Sequence, residues 1–277
     1  MNKQKILFEL KNFVPIRIAC YPFMTLYRYH SKKKYIKSED RKKMMKFQNI
    51  HEGCRCFIIG NGPSLMSSDL DKLKNEICFG TNRIYHIFNQ TEWRPTYYMA
   101  SDMDVIAEEK RNIMNTKLNK KFIVSYARRH MGNAQDINYF FVDTPFMLIR
   151  SNFKSRTLND DVSEYFSSVG TTSCLCVQLA IYMGFKEIYL VGMDNNYPVE
   201  IDDYGRRKKN DGVKAYFKGM QGGEQIAITN VRWLTESFSM CRKYADAHNI
   251  KIYNATRGGK LEVFGRVDFD DIIANNH

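Results

Sequence analysis

CFIIGNGPSL at residues 56–65 and EIYLVGMD at residues 187–194 decide the fold. In the first, Phe57, Ile58 and Ile59 form an apolar run without polar alternation, the pattern of a parallel strand covered on both faces. Gly60 and Gly62 then permit a tight turn, and Pro63 suits the first position of a following helix, expected over Leu65 to Leu73. Backbone N–H groups at such a helix start point outward and attract anions, so Gly60 to Ser64 is expected to cradle a phosphate. The second stretch has the same design: an apolar strand that halts at Gly192 and ends in Asp194.

Strand and helix patterns alternate around these two segments. Glu76 to Gly80 and Thr96 to Ala100 are short strands, with Thr81-Asn82-Arg83 and Ser101-Asp102 at their carboxyl ends. Ile84 to Phe88 forms a short helix, Val105 to Met114 a charged helix, and Lys121 to Ser125 a further strand. Thr171 to Met183 is an apolar helix stopped by Gly184. An amphipathic helix runs from Ile226 to His248, and the last strand is Lys251 to Asn254, its edge covered by Gly258 to Phe269. The expected fold is α/β, a doubly wound, mostly parallel, Rossmann-like sheet spanning residues 51–277. Residues 128–166 and 195–223 lack this periodicity and are expected to be lid insertions.

Charge is concentrated at one end. Residues 1–50 carry thirteen Lys and Arg against three acids, a net +10 of the chain's +12, so the body is close to neutral. That location argues against nucleic acid as a partner, which would need basic residues over the body itself. Apolar and aromatic residues interleave with the basic ones, but no stretch reaches the roughly 18 charge-free residues of a spanning helix. Pro15 and Pro22 are expected to interrupt any long helix, and no secretory signal is evident. An amphipathic segment lying on an anionic membrane surface fits this composition, the alternative being a solvated helix packed on the body. Seven cysteines without metal-knuckle spacing suggest buried free thiols and a cytoplasmic protein, peripheral on the inner face of the bacterial inner membrane.

Ligands of open α/β sheets bind outside the carboxyl ends of the strands. The rule gathers Gly60 to Ser64, Thr81 to Arg83, Ser101 to Asp104 and Asp194 to Tyr197 along one rim. Gly60, Asn61, Gly62, Ser64, Asn82, Arg83, Ser101, Asn195 and Tyr197 are therefore candidate donor-binding residues, and the hydroxyls of Thr171 and Thr172 at a helix start join them. A dinucleotide fingerprint is incomplete, because its third glycine is Leu65 and position 82 is asparagine. Nothing matches the lysine-bearing P-loop. A nucleotide or nucleotide-sugar site read by amides and hydroxyls remains. Each residue also has a local use: Asn61 in a left-handed turn, Asn82, Ser64, Thr171 and Thr172 as helix caps, Asp194 as a turn acid. Asp102 and Asp104 have metal-ligand spacing, yet no metal or cofactor is expected. Tyr204 and Arg206 to Lys209 are placed to close over an anionic ligand.

CFIIGNGPSL, FGTNRIYHIF and GTTSCLCVQLAIYMGFKEIYLVGMD together resemble the family called domain of unknown function 115, or MptE-like. The group includes flagellin-modifying motility accessory factors and is related to the bacterial sialyltransferases of glycosyltransferase family 42. The resemblance covers about residues 52–273, and KIYNATRGGKLEVFGRVDFDDII resembles members found among surface-polysaccharide genes. It implies a glycosyltransferase that moves an acidic, sialic-acid-like sugar from a CMP-type donor to a bacterial surface glycan. Asn61, Gly62 and Ser64 would then lie near the donor phosphate, and Asn82 would contact the sugar nucleotide. Thr171, Thr172 and Ser173 would face the donor carboxylate or phosphate, and Asp194 the ribose or a neighbouring loop.

The sialyltransferases' histidine base has no counterpart, since no histidine occurs between His130 and His248. Asp102, Asp104, His130 and Asp194 are the candidates for catalytic base. A pterin pyrophosphokinase using ATP and Mg²⁺ is the rival activity, and a non-catalytic scaffold of the same fold the second rival. The expected partners are a donor nucleotide sugar and a glycan acceptor, with a homo-oligomer left open.

Overall fold

Phe57, Ile58 and Ile59 are fully buried, as an unalternating apolar run demands of a strand covered on both faces. The computed structural model describes residues 14–116, 118–144, 157–202, 206–220 and 228–274. The chain opens with α1 (Val14–Ile36) and α2 (Glu39–Met45), then alternates β1 (Arg55–Ile59), α3 (Ser67–Lys72), β2 (Cys78–Thr81), β3 (Tyr97–Ala100), α4 (Met103–Asn115) and β4 (Lys120–Val124). A short α5 (Arg128–Met131) precedes β5 (Ile137–Phe140) and the small pair β6 (Val142–Asp143) and β7 (Phe166–Ser167). Next come α6 (Thr172–Tyr182), β8 (Glu187–Val191), β9 (Val199–Ile201), β10 (Arg207–Lys209) and β11 (Ile228–Thr229). The last elements are α7 (Val231–Ala247), β12 (Lys251–Asn254), β13 (Gly265–Arg266) and α8 (Phe269–Ala274).

Eight strands form one sheet in the order β13-β12-β8-β1-β2-β3-β4-β5, every neighbour parallel. From β1 the chain winds outward through β2, β3, β4 and β5, then crosses back so that β8 pairs with the other side of β1. The β1–β8 seam is therefore the topological switch point, where open α/β sheets leave a crevice beyond the strand ends. Helix α6 packs over β1, β2 and β3 and is apolar nearly all round, which only a fully enclosed helix tolerates. Burying Leu175, Val177 and Leu179 contributes about 1.5–3 kcal/mol each.

Several local expectations are corrected. Pro22 does not break the first helix: α1 runs through it, forgoing the hydrogen bond to the Ile18 carbonyl, while Pro15 sits in the first turn where no N–H is needed. The basic tract is not one separate segment. Tyr35, Met44 and Phe47 are buried, and the Asn49 and His51 N–H groups donate to the Tyr182 and Met183 carbonyls, so its second half belongs to the body. Within 128–166, β5 joins the main sheet rather than a lid, and 145–156 lie outside the described residues. Within 195–223, β9 and β10 form a small sheet with β11, and α7 starts only at Val231, where Asn230 caps it. Among the cysteines, Cys20 and Cys54 are exposed and the other five are buried free thiols. No helix among the described residues is long and apolar enough to cross a membrane.

Candidate functional site

Beyond the β1–β8 seam lies a cleft of 430 Å³. Its floor is Gly60, Asn61 and Gly62 after β1 and Gly192 to Tyr197 after β8. Thr81 and Asn82 after β2, Ser101 and Asp102 after β3, and the start of α6 (Thr171, Thr172, Ser173) complete the polar wall. Most of the candidate residues are thereby brought to one place, because parallel strands deliver all their carboxyl ends to one rim.

The two glycines are there for close approach. A Cβ on Gly60 would lie 2.4 Å from the Gly192 carbonyl oxygen, and one on Gly62 would lie 1.9 Å from an Asp194 carboxylate oxygen. The turn nevertheless differs from a free phosphate cradle. No helix starts at Pro63, since α3 begins at Ser67. The N–H groups of Gly60 and Gly62 donate to the carbonyls of Val191 and Gly192, and that of Leu65 donates to Gly62. Asp194 takes the remaining place: its Oδ2 accepts from Ser64 Oγ at 2.7 Å and from Ser64 N at 3.4 Å. Ser64 thus faces Asp194 and does not line the cleft or cap a helix.

Asp194 itself is held from two sides. Gly192 and Asn195, both left-handed, bend the chain around it, and its backbone carbonyl accepts from Lys260 N at 2.7 Å. The Gly258–Gly259 loop packs so tightly here that a Cβ on Gly259 would meet Asp194 Cα at 2.8 Å. Burial pushes the Asp194 carboxyl above its ordinary pKa, and the Ser64 hydrogen bonds pull part of the way back. On the opposite wall Asp102 caps α4, with Oδ1 accepting from the Asp104 and Val105 N–H groups.

A chain of hydroxyls and amides joins three strands to α6. Thr172 Oγ1 donates to Asn82 Oδ1 at 3.2 Å, so Ser101 Oγ, 2.6 Å away, donates to Thr172. Asn82 adopts a left-handed conformation in place of the expected cap, and its carbonyl accepts from Tyr98 Oη at 2.6 Å. Thr171 caps α6 by accepting from Ser173 N. The positive end of the α6 dipole therefore opens into the cleft among three hydroxyls. Asn61 is not left-handed; its amide donates to the Thr81 carbonyl at 2.9 Å. The side-chain oxygens of Asn61, Asn195 and Asn196 are buried without a hydrogen-bond partner among the described residues, an unusual state for a polar atom.

Besides Ser64, three candidates lie elsewhere. Arg83 is 2% exposed beneath the rim, paired with Glu108 and, at 3.3 Å, with Glu109. His130 sits on α5 beside Arg129 and outside the cleft. Asp104 is exposed on α4 and does not line it either. Of the closing loop, Arg206 to Lys209 stand away from the cleft, with Arg207–Lys209 as the exposed β10, and Tyr204 lies outside the described residues.

Sequence reasoning missed Tyr126 and Tyr216, which line the cleft from segments without clear periodicity. Burial raises the pKa of both phenols; Asp102 adds to the shift at Tyr126, whereas the charge of Arg83 opposes it at Tyr216. Thr144 and Gly170 are further lining residues that no local motif marks. Among the described lining residues the charged side chains are the two carboxylates of Asp102 and Asp194, with no lysine or arginine.

No curated protein matches the chain. Among solved structures, the MAf glycosyltransferase from Magnetospirillum magneticum AMB-1 aligns at 15% identity and a TM-score of 0.47, covering 84% of this chain. The alignment spans only 38% of that longer protein. The sialyltransferase CstII from Campylobacter jejuni, solved with the substrate analogue cytidine-5'-monophosphate, aligns at 18% identity and a TM-score of 0.48, covering 79% of this chain and 86% of its own. A model of the family described as 6-hydroxymethylpterin diphosphokinase MptE-like matches residues 30–200, well over half of the sequence, and the chain belongs to that family.

Proposed function

We propose that this protein is a glycosyltransferase that takes an acidic sugar from a CMP-type donor and attaches it to a surface glycan. One observation carries the reading: the amino end of α6, dressed with Thr171, Thr172 and Ser173, opens into a polar cleft at the switch point whose described lining has two carboxylates and no basic side chain. A single phosphate is matched by one helix dipole and the hydroxyls of Thr171 and Ser173, the Thr172 proton being committed to Asn82. The higher charge of ATP calls for lysines or arginines, and the described lining has none. The unpartnered oxygens of Asn61, Asn195 and Asn196 suit ligand donors such as an exocyclic amine or sugar hydroxyls.

In the reaction, the acceptor hydroxyl oxygen bonds to the anomeric carbon while the bond from that carbon to the phosphate oxygen breaks. The departing nucleotide's charge is stabilised by the α6 amino end. The acceptor proton passes to a carboxylate, and Asp194, whose pKa burial raises toward the working range of a base, is the better placed of the two.

Titration calorimetry of the full chain with CMP, CDP, UDP and ATP, each with and without Mg²⁺, tests the reading. CMP is expected to bind without Mg²⁺. Binding of ATP alone, and only with Mg²⁺, would support the diphosphokinase activity that the family's description names. Absence of binding by every cytidine nucleotide would overturn the transferase reading. A scaffold would bind a donor yet show no turnover for Asp194→Ala to lose.

A further inference from the structure

From Ile18 to Tyr27, ten consecutive residues of α1 (IACYPFMTLY) carry no charge and every one is exposed. Phe23 is 75% exposed, Tyr27 70%, Ile18 58% and Leu26 56%. Ten exposed, uncharged residues in a row make a large apolar surface on this half of the helix. The second half of the helix is tied to the body. Arg28 pairs with Asp143, Lys32 lies 3.7 Å from the same carboxylate and over the Tyr165 ring, and Tyr35 is buried. Lys33, Lys34 and Lys37 follow, all exposed.

We infer that α1 is a monotopic anchor that lies along an anionic membrane surface, its apolar half sunk into the boundary between headgroups and acyl chains and the lysines of its second half held among the lipid headgroups. The sequence fits this orientation: the uncharged stretch is bounded by Arg17 and Arg28, and a helix standing on end would take one of these charges to the bilayer centre, whereas one lying flat keeps both at headgroup level. Charge fits as well, since the net +10 of residues 1–50 is set against a nearly neutral body. Asp143, which fastens α1, lies between Val142 and Thr144 of the cleft wall. An acceptor held in the same membrane would thus meet the cleft at the anchor's root. That consequence rests on the transferase reading; the anchor itself does not.

Co-sedimentation of the full chain with vesicles tests the anchor, comparing phosphatidylcholine alone with an equimolar phosphatidylcholine–phosphatidylglycerol mixture. The protein should pellet with the anionic vesicles and release as salt rises, because headgroup attraction is screened within a Debye length. A Phe23→Ser, Leu26→Ser pair should lower the partition coefficient by about tenfold or more, since each side chain loses its transfer into hydrocarbon. A Lys33→Glu, Lys34→Glu pair should lower it by a similar factor on anionic vesicles only. Both variants change exposed side chains, and unaltered melting would verify that the body is intact. No pelleting with anionic vesicles at low salt would overturn the anchor. Light scattering that shows a dimer of wild type, dissolved by the Phe23 and Leu26 changes, would overturn it in favour of a second copy covering the helix.

Discussion

Gly60→Ala tests the seam on which the whole site is built. A Cβ at residue 60 would lie 2.4 Å from the Gly192 carbonyl oxygen and 2.8 Å from Met193 Sδ, against 3.4 Å for ordinary contact. The sulfur can move, because methionine is flexible. The carbonyl oxygen cannot: the Gly60 N–H donates to Val191 at 2.8 Å and the Gly62 N–H donates to Gly192 itself at 3.0 Å. Relief means parting the two turns by about 1 Å, and overpacking of this kind costs about 1–3 kcal/mol. Loss of the two hydrogen bonds adds about 1–3 kcal/mol. The sum, roughly 2–6 kcal/mol, is a large part of a domain's stability of about 5–15 kcal/mol. Urea unfolding followed by far-UV circular dichroism should show the midpoint falling by roughly 1–2 M at a slope of about 3 kcal/mol per M. Gly265→Ala is the control, since nothing lies within 4 Å of its Cβ position and its φ is not left-handed. That variant should stay within about 0.5 kcal/mol of wild type. If Gly60→Ala unfolds at the same midpoint as Gly265→Ala, the close-approach argument fails.

Two further substitutions probe the charged groups around the cleft. Because burial raises the Asp194 pKa, its favourable contribution is complete below the ordinary value of 3.8 and is lost as pH climbs through the raised folded value. Asp194→Asn escapes that loss and keeps an acceptor for Ser64, so melting temperature, variant minus wild type, should increase from acid to neutral pH; a flat difference refutes the shift. Arg83→Met removes the partner of Glu108 and Glu109 and should destabilise by about 2–3 kcal/mol, less than a fully buried pair because Glu108 is half exposed. A melt unchanged by Arg83→Met would mean that the cation is not what neutralises those carboxylates.

How much of this was legible without coordinates follows from how local each signal is. The apolar runs at 56–59 and 187–191 announce buried strands, because strand periodicity and β-branched content are properties of five neighbouring residues. The rim of Asn82, Ser101, Asp102 and Asp194 also followed, since parallel strands share a direction. Arg83 is buried against Glu108 and Glu109 of α4, a pairing between separate segments that no local pattern marks. Tyr126 and Tyr216 come from irregular segments, where no period links sequence position to facing direction.

The strand order was beyond the sequence for a stricter reason. Which strand takes the free side of β1 depends on how α6 crosses the sheet, a contact between segments more than a hundred residues apart, and that crossing makes the β1–β8 seam the crevice. The same crossing puts Asp194 into the glycine turn, so the Gly60, Gly62 and Ser64 amides, which read locally as part of a phosphate cradle, are occupied by the protein's own backbone and carboxylate. Anion attraction passes instead to the amino end of α6. Sequence alone determined the elements, the rim and the charge asymmetry; the tertiary structure decided which polar groups on that rim are still free, because hydrogen-bond capacity is spent between segments as well as within them.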